Sequence, residues 1–175
     1  MSRVITFSRY FPSYHPRKGE PTYFVDKIWE AVKPSVEIMA NYYSKANGIH
    51  KIFEDNSCYP CKPFTPKYHT IRAGNRWKAG DKFSPRVWSG KPYCSKQITI
   101  APDIEIKKIW DIGFDEFSVP ILNGVYLFDE YNSQNWDFDL LAKNDGLTPS
   151  DAIGWFKPYK ETMCQIICWN ENINY

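Results

Sequence analysis

Apolar and polar positions change period several times along the chain, and each change predicts an element. "RVITF" at 3–7 is a short β-rich run and reads as the first strand. "FPSYHPRKGEP" at 11–21 is rich in Pro and Gly and reads as loop. From Thr22 the spacing turns helical: Val25, Ile28, Trp29 and Val32 share a face, Thr22 is placed to cap, and Pro34 interrupts. "SVEIMANYYSKANG" reads as a second helix with Gly48 as its C′ residue. Residues 49–66 carry Pro60, Pro63 and Pro66 with no clear period, so they read as loop.

Beyond residue 66 the pattern is mainly that of strands. "DKFSPRVWS" and "YCSKQITIA" flank "GKP" as two arms of a hairpin. "DIEIKKIWDI" sets Ile104 and Ile106 against charge, as a half-exposed strand does. "PILNGVYLF" places Asn123-Gly124 between apolar runs, the strongest short hairpin signal in the chain. "WDFDLLAKNDG" at 136–146 predicts a short helix ending at Gly146. "TPSD" at 148–151 then starts another, with Thr148 as cap, Pro149 at N1 and Asp151 at N3. "MCQIICWN" at 163–170 predicts a buried closing strand, with Cys164, Ile166 and Cys168 on one face. No internal repeat or low-complexity tract is present. The expected class is α+β, a small β-barrel with peripheral helices in one domain.

The 175-residue length suits one domain with a core of its own. Aromatic residues at 17% argue against disorder. Net charge is only +2, so its distribution matters more than its total. Residues 67–96 hold eight Lys or Arg and one acid, Asp81, whereas residues 103–151 hold eleven acids against Lys107, Lys108 and Lys143. These are either two solvated faces of opposite sign or a basic surface for a polyanion. Five cysteines, an odd count, and no apolar run of membrane-spanning length point to a cytoplasmic protein with no membrane partner.

The chemistry concentrates in "KYHTIRAGNRWKAGDKF", residues 67–83. If 69–72 is a strand, Thr70 and Arg72 share one face and His69 and Ile71 the other, with Lys67 at the strand start, able to swing over Thr70. A lysine beside a threonine is either a surface cation next to a β-favouring residue or a general base next to a nucleophile. The base role requires burial or neighbouring cations to lower the lysine pKa. Arg72 offers a planar fork to a phosphate or carbonyl oxygen. Trp77, Phe83, Trp88 and Tyr93 interleave with Arg76, Lys78, Arg86 and Lys91. Such residues are either core and cross-strand pairs or a surface that stacks bases and tracks phosphates. Trp77 is the first choice for a pocket wall, with Arg76 and Lys78 as accompanying ligand contacts. Cys58 and Cys61, flanked by His50 and His69, offer four potential zinc ligands, but at no common spacing, so no metal is expected.

"ITF", then "KYHTIRAGNRWKAGDKF", a hairpin, and later "NDGLTPSDAIGWF" resemble, in content and order, the ASCH domain of the PUA-like superfamily. Within it, the blocks are similar to those of the small bacterial N4-acetylcytidine amidohydrolases: a K-x-x-T-x-R block, a lysine-glycine-aspartate turn and a later acid before a helix start. The likeness covers 4–9, 67–112 and 143–170, about 80 residues, leaving 12–66 and 114–141 as insertions. It implies a PUA-like barrel whose cleft takes a base or nucleoside. It further implies Lys67 and Thr70 as catalytic, with Asp145 in place of the family's glutamate, one methylene shorter. Asp145-Gly146 is otherwise simply a turn. Amide hydrolysis would take Thr70 as nucleophile, Asp145 as acid for the leaving amine, and Arg72 or a backbone N–H as oxyanion donor. Two functions remain: hydrolysis of an N4-acylated cytidine or related nucleoside, or an RNA- or nucleotide-binding module without turnover. Neither requires a cofactor. A soluble interaction domain without a ligand is a third.

Overall fold

The computed structural model describes residues 3–46, 64–127 and 136–175. The chain is α+β, with nine strands in two sheets and four helices among the described residues. Strands are β1 (Arg3–Thr6), β2 (His69–Ala73), β3 (Lys82–Trp88), β4 (Gln97–Thr99), β5 (Ile104–Glu105), β6 (Lys108–Phe114), β7 (Pro120–Leu122), β8 (Val125–Tyr126) and β9 (Met163–Cys168). Helices are α1 (Phe24–Val32), α2 (Val36–Lys45), α3 (Trp136–Asn144) and α4 (Pro149–Phe156). The first sheet runs β1-β3-β4 with β5 also on β3; the second runs β2-β9-β6-β7-β8. Among the described residues neither sheet closes on itself into the expected barrel.

Two cores follow from the strand period. Ile166 of β9 packs with Ile71, Ile112, Leu141 and Phe156 under α3 and α4. Its neighbour Ile167 turns the other way, towards Phe83, Ile106 and Trp29 under the first sheet and α1. The second sheet is thus covered on both faces where β9 runs, which is why "MCQIIC" reads as a near-continuous apolar run. Cys164 and Cys168 are buried and free, and Cys94 is free and exposed.

Several local expectations are met and several are shifted. Asn123 and Gly124 both have positive φ, 52° and 81°, the conformation that an Asn-Gly hairpin turn requires between β7 and β8. Thr148 caps α4, its hydroxyl accepting from the Asp151 N–H at 3.1 Å. Thr22 does not cap α1. Tyr23 holds the cap position at φ 57°, while the Thr22 hydroxyl accepts from the Phe24 N–H and donates to the Ser8 carbonyl. "DIEIKKIWDI" is not one strand: β5 joins the first sheet, β6 joins the second, and the chain changes sheet at Ile106–Lys107. α2 ends at Lys45, and Gly48 lies outside the described residues. No helix among the described residues is long and apolar enough to cross a membrane.

Candidate functional site

The ends of β1 and β3 in the first sheet meet β2 of the second, and a cleft of about 210 Å³ opens where they do. β1 and its extension supply Thr6, Phe7 and Ser8, β2 supplies Thr70, Ile71 and Arg72, and Lys67 and Asp145 line the same space. Arg72 bridges the sheets by donating from Nη2 to the Thr6 carbonyl at 2.7 Å. Thr70 and Arg72 face the cleft together, as strand alternation requires.

The backbone around Lys67 is held on two sides. Its N–H donates to the Lys27 carbonyl of α1 at 2.9 Å, and the next N–H, Tyr68, donates to the Asn144 carbonyl at the end of α3 at 2.8 Å. Gly146 ends α3 at φ 74°, and a Cβ there would stand 3.2 Å from both Lys67 Cβ and Lys27 Cδ. The Lys27 ammonium donates to the Gly146 carbonyl at 2.6 Å. This packing brings the α3–α4 turn, and Asp145 with it, against Lys67.

Lys67 is 1% exposed and Asp145 3%. The Lys67 ammonium donates to Asp145 Oδ1 at 2.7 Å and also to the Asp145 carbonyl. It further lies 4.4 Å from the centre of the Phe24 ring. Burial lowers the Lys67 pKa, Asp145 opposes that only in part, and the result is about 8. Burial pushes the Asp145 carboxyl up, but the Lys67 ammonium beside it outweighs that and holds it below the ordinary value. The carboxylate is therefore ionised at neutral pH and cannot act as a general acid. The exchangeable proton of the pair sits on Lys67.

His69 is fully buried with Nδ1 3.4 Å from Asp145 Oδ1, an electrostatic contact too long for a good hydrogen bond. Burial lowers its pKa, so the ring is neutral. It packs edge-on against Tyr175. His69 thus faces a carboxylate and an aromatic ring, while His50, Cys58 and Cys61 lie outside the described residues. Among the described residues no group of three His, Cys, Asp or Glu is placed to hold a metal.

The sequence reading named Trp88 and Tyr93 among its candidates for base stacking but missed the rest of the cleft's aromatic wall. Tyr14 and Phe24 come from 12–66, the segment expected as an insertion, and Trp155 and Tyr159 come from α4 and the chain after it. Trp88, Pro92 and Tyr93 border the cleft from the β3–β4 hairpin. Tyr14, Phe24 and Tyr159 carry no local motif, so only the tertiary structure gathers them. His69 did leave a signal: two residues from Lys67, it falls on the same side of an extended chain.

Trp77 is not a wall of the cleft. It is 3% exposed in the first core, with its backbone N–H donating to Gln165 Oε1 at 3.0 Å. Its ring packs against Phe83, under the Arg3 guanidinium 4.2 Å away. Arg76 and Lys78 are exposed and do not border the cleft; they accompany Trp77 on the connection to β3, beside the Arg3–Asp81 ion pair. The basic run therefore divides: Lys67 and Arg72 belong to the cleft, Arg76 and Lys78 to solvent.

The floor of the cleft carries a cation and a hydroxyl beside a buried ion pair, and its walls are aromatic rings. That set can sandwich a planar heterocycle, donate to a carbonyl oxygen and exchange a proton at Lys67. No family model matches the chain, and no curated protein or solved structure matches it either.

Proposed function

We propose that this cleft binds an N4-acylated cytidine or a related modified nucleoside and hydrolyses its exocyclic amide. The observation that carries the proposal is the buried Lys67–Asp145 pair opening into the same cleft as Thr70 and Arg72. Rings on the walls suit a planar base. The volume is below the roughly 300–1,000 Å³ usual for drug-sized ligands, which suits one nucleoside.

With a pKa of about 8, roughly a tenth of Lys67 is neutral at pH 7. The neutral amine takes the Thr70 hydroxyl proton as Oγ bonds to the acyl carbon. Arg72 donates to the oxygen that becomes negative. The Lys67 ammonium then returns the proton to the exocyclic nitrogen as the C–N bond breaks, releasing cytidine. Water, deprotonated by Lys67, adds to the acyl carbon of the acyl-threonine ester; the Lys67 ammonium then returns that proton to Thr70 Oγ as the C–O bond breaks, releasing the carboxylic acid and restoring the hydroxyl. Asp145 stays ionised throughout and positions Lys67. This role differs from the acid role implied by the family resemblance.

The two open sheets fit a PUA-like scaffold of the ASCH type, because the similar blocks 4–9, 67–112 and 143–170 contain most of both sheets. On that basis 12–66 and 114–141 are additions to it, the first of which helps wall the cleft.

One observation favours the alternative of a binding module: the Lys67 ammonium already donates to two oxygens of Asp145. Incubation with a panel of N4-acylated cytidines, following release of cytidine and acid, separates the two. The hydrolase releases both in equal amounts. A protein that binds the panel and releases neither is the module.

A further inference from the structure

The β3–β4 hairpin presents two rings at the border of the cleft that take no part in the proposed bond-making steps. Tyr93 is 88% exposed, yet its backbone has φ 63°, a conformation costly for a bulky residue. The loop that holds it there is tightly bonded. The Ser89 N–H donates to the Lys96 carbonyl at 2.9 Å, and the Cys94 N–H to the Lys91 carbonyl at 3.2 Å. The Ser95 hydroxyl accepts from the Gly90 N–H at 3.0 Å and donates to the Lys91 carbonyl at 2.9 Å. Arg9 pins the loop from outside by donating to the Ser89 carbonyl at 3.0 Å. The Tyr93 ring stands 5.3 Å from that of Trp88, and both residues border the cleft. Lys91 and Lys96, in the same loop, are exposed and form no ion pair with any described residue.

We infer that Trp88 and Tyr93 form a stacking subsite at the cleft mouth for a base next to the one in the cleft, so that the ligand is a single-stranded oligonucleotide. This rests on the nucleobase reading of the cleft. A cleft of about 210 Å³ has room for one nucleoside, so the neighbouring nucleotides of a strand must leave by the mouth. There they meet an exposed ring on a braced loop, with two unpaired ammonium groups for the phosphates. An exposed aromatic surface among cations is the usual platform for single strands.

The test uses equilibrium binding of the full chain to cytidine, to a ribo- and a deoxyribo-trinucleotide with central cytosine, and to the same trinucleotides with abasic flanks. The trinucleotide of at least one sugar type binds about tenfold or more tighter than cytidine, and abasic flanks remove most of that gain. The two sugar types tell RNA from DNA. Tyr93→Gly removes the ring at a backbone position glycine adopts freely, so the fold is kept, and the trinucleotide-to-cytidine ratio falls towards one. Tyr93→Phe keeps the ratio. Equal affinity for cytidine and both trinucleotides, a gain that survives abasic flanks, or a ratio unchanged in Tyr93→Gly overturns the subsite. Failure of the hydrolase proposal alone would remove turnover and leave the Tyr93-dependent ratio intact.

Discussion

Burying an ammonium and a carboxylate costs several kcal/mol per ion before they pair, so Lys67 and Asp145 each depend on the other. Asp145→Asn leaves Lys67 in an apolar site without its counter-charge and is expected to cost about 3–5 kcal/mol at pH 7 by urea unfolding. Replacing both, Lys67→Met with Asp145→Leu, is expected to cost less than that single change, because no charge is stranded. A single-change loss under about 1 kcal/mol would mean that the pair is more hydrated than its burial implies. The signs of the two titrations differ in where they act. Asp145 is depressed in the folded state, so its stabilisation is present above its ordinary value and is lost as acid protonates it. Lys67 is depressed to about 8, below an unfolded value of about 10.4, so between these the unfolded chain holds more protons and folding gains as pH rises. If Lys67 is the base, kcat/KM should rise about tenfold from pH 7 to pH 9 with a midpoint near 8. A flat profile across that range would remove Lys67 from the proton transfer. Lys67, Thr70 and Asp145 were site candidates in the sequence, and all three line the cleft. The ionised state of Asp145 could not be read there, because it depends on the balance between its burial and the Lys67 ammonium that faces it.

Elements were legible where a local pattern decides them. The Asn123-Gly124 turn and the Thr148 cap follow from backbone chemistry a few residues long. What tertiary structure decides was not legible. Alternation in "DIEIKKIWDI" continues across Ile106 although the chain leaves one sheet for the other, since both sheets demand the same period. The parallel pairing of β1 with β3, which brings Thr6 and Trp88 to one cleft, joins strands 75 residues or more apart and leaves no local trace. The α3–α4 turn is the element on which the site depends most. Gly146→Ala forces a Cβ into the left-handed region against Lys67 and Lys27. It should lower stability by about 1–2 kcal/mol and reduce turnover per folded molecule by displacing Asp145 from Lys67. Thermal unfolding and the rate of the remaining folded fraction check the two parts separately. An unchanged melting temperature would show that the turn yields without strain.

At the scale of the molecule, the cleft exists because two sheets and the helices that cover them meet along β1, β2 and the α3–α4 turn. The basic run at 67–96 looked uniform in sequence, yet folding sends Lys67 and Arg72 inwards and leaves Arg76 and Lys78 in solvent. Reversing charge at Arg76 and Lys78 together should therefore leave hydrolysis of an acylated nucleoside within about twofold, since neither borders the cleft and exposed charges are screened. A tenfold loss would place those residues on the substrate path. The central claim is that Thr70, served by Lys67, attacks the amide in this cleft. The most direct measurement compares wild type with Thr70→Ala for conversion of N4-acetylcytidine to cytidine and acetate, with cytidine binding measured alongside. Wild type should turn over, and Thr70→Ala should lose roughly a thousandfold or more while binding cytidine within about tenfold. Wild type that binds cytidine but leaves N4-acetylcytidine intact, or Thr70→Ala that hydrolyses it as fast as wild type, would contradict it.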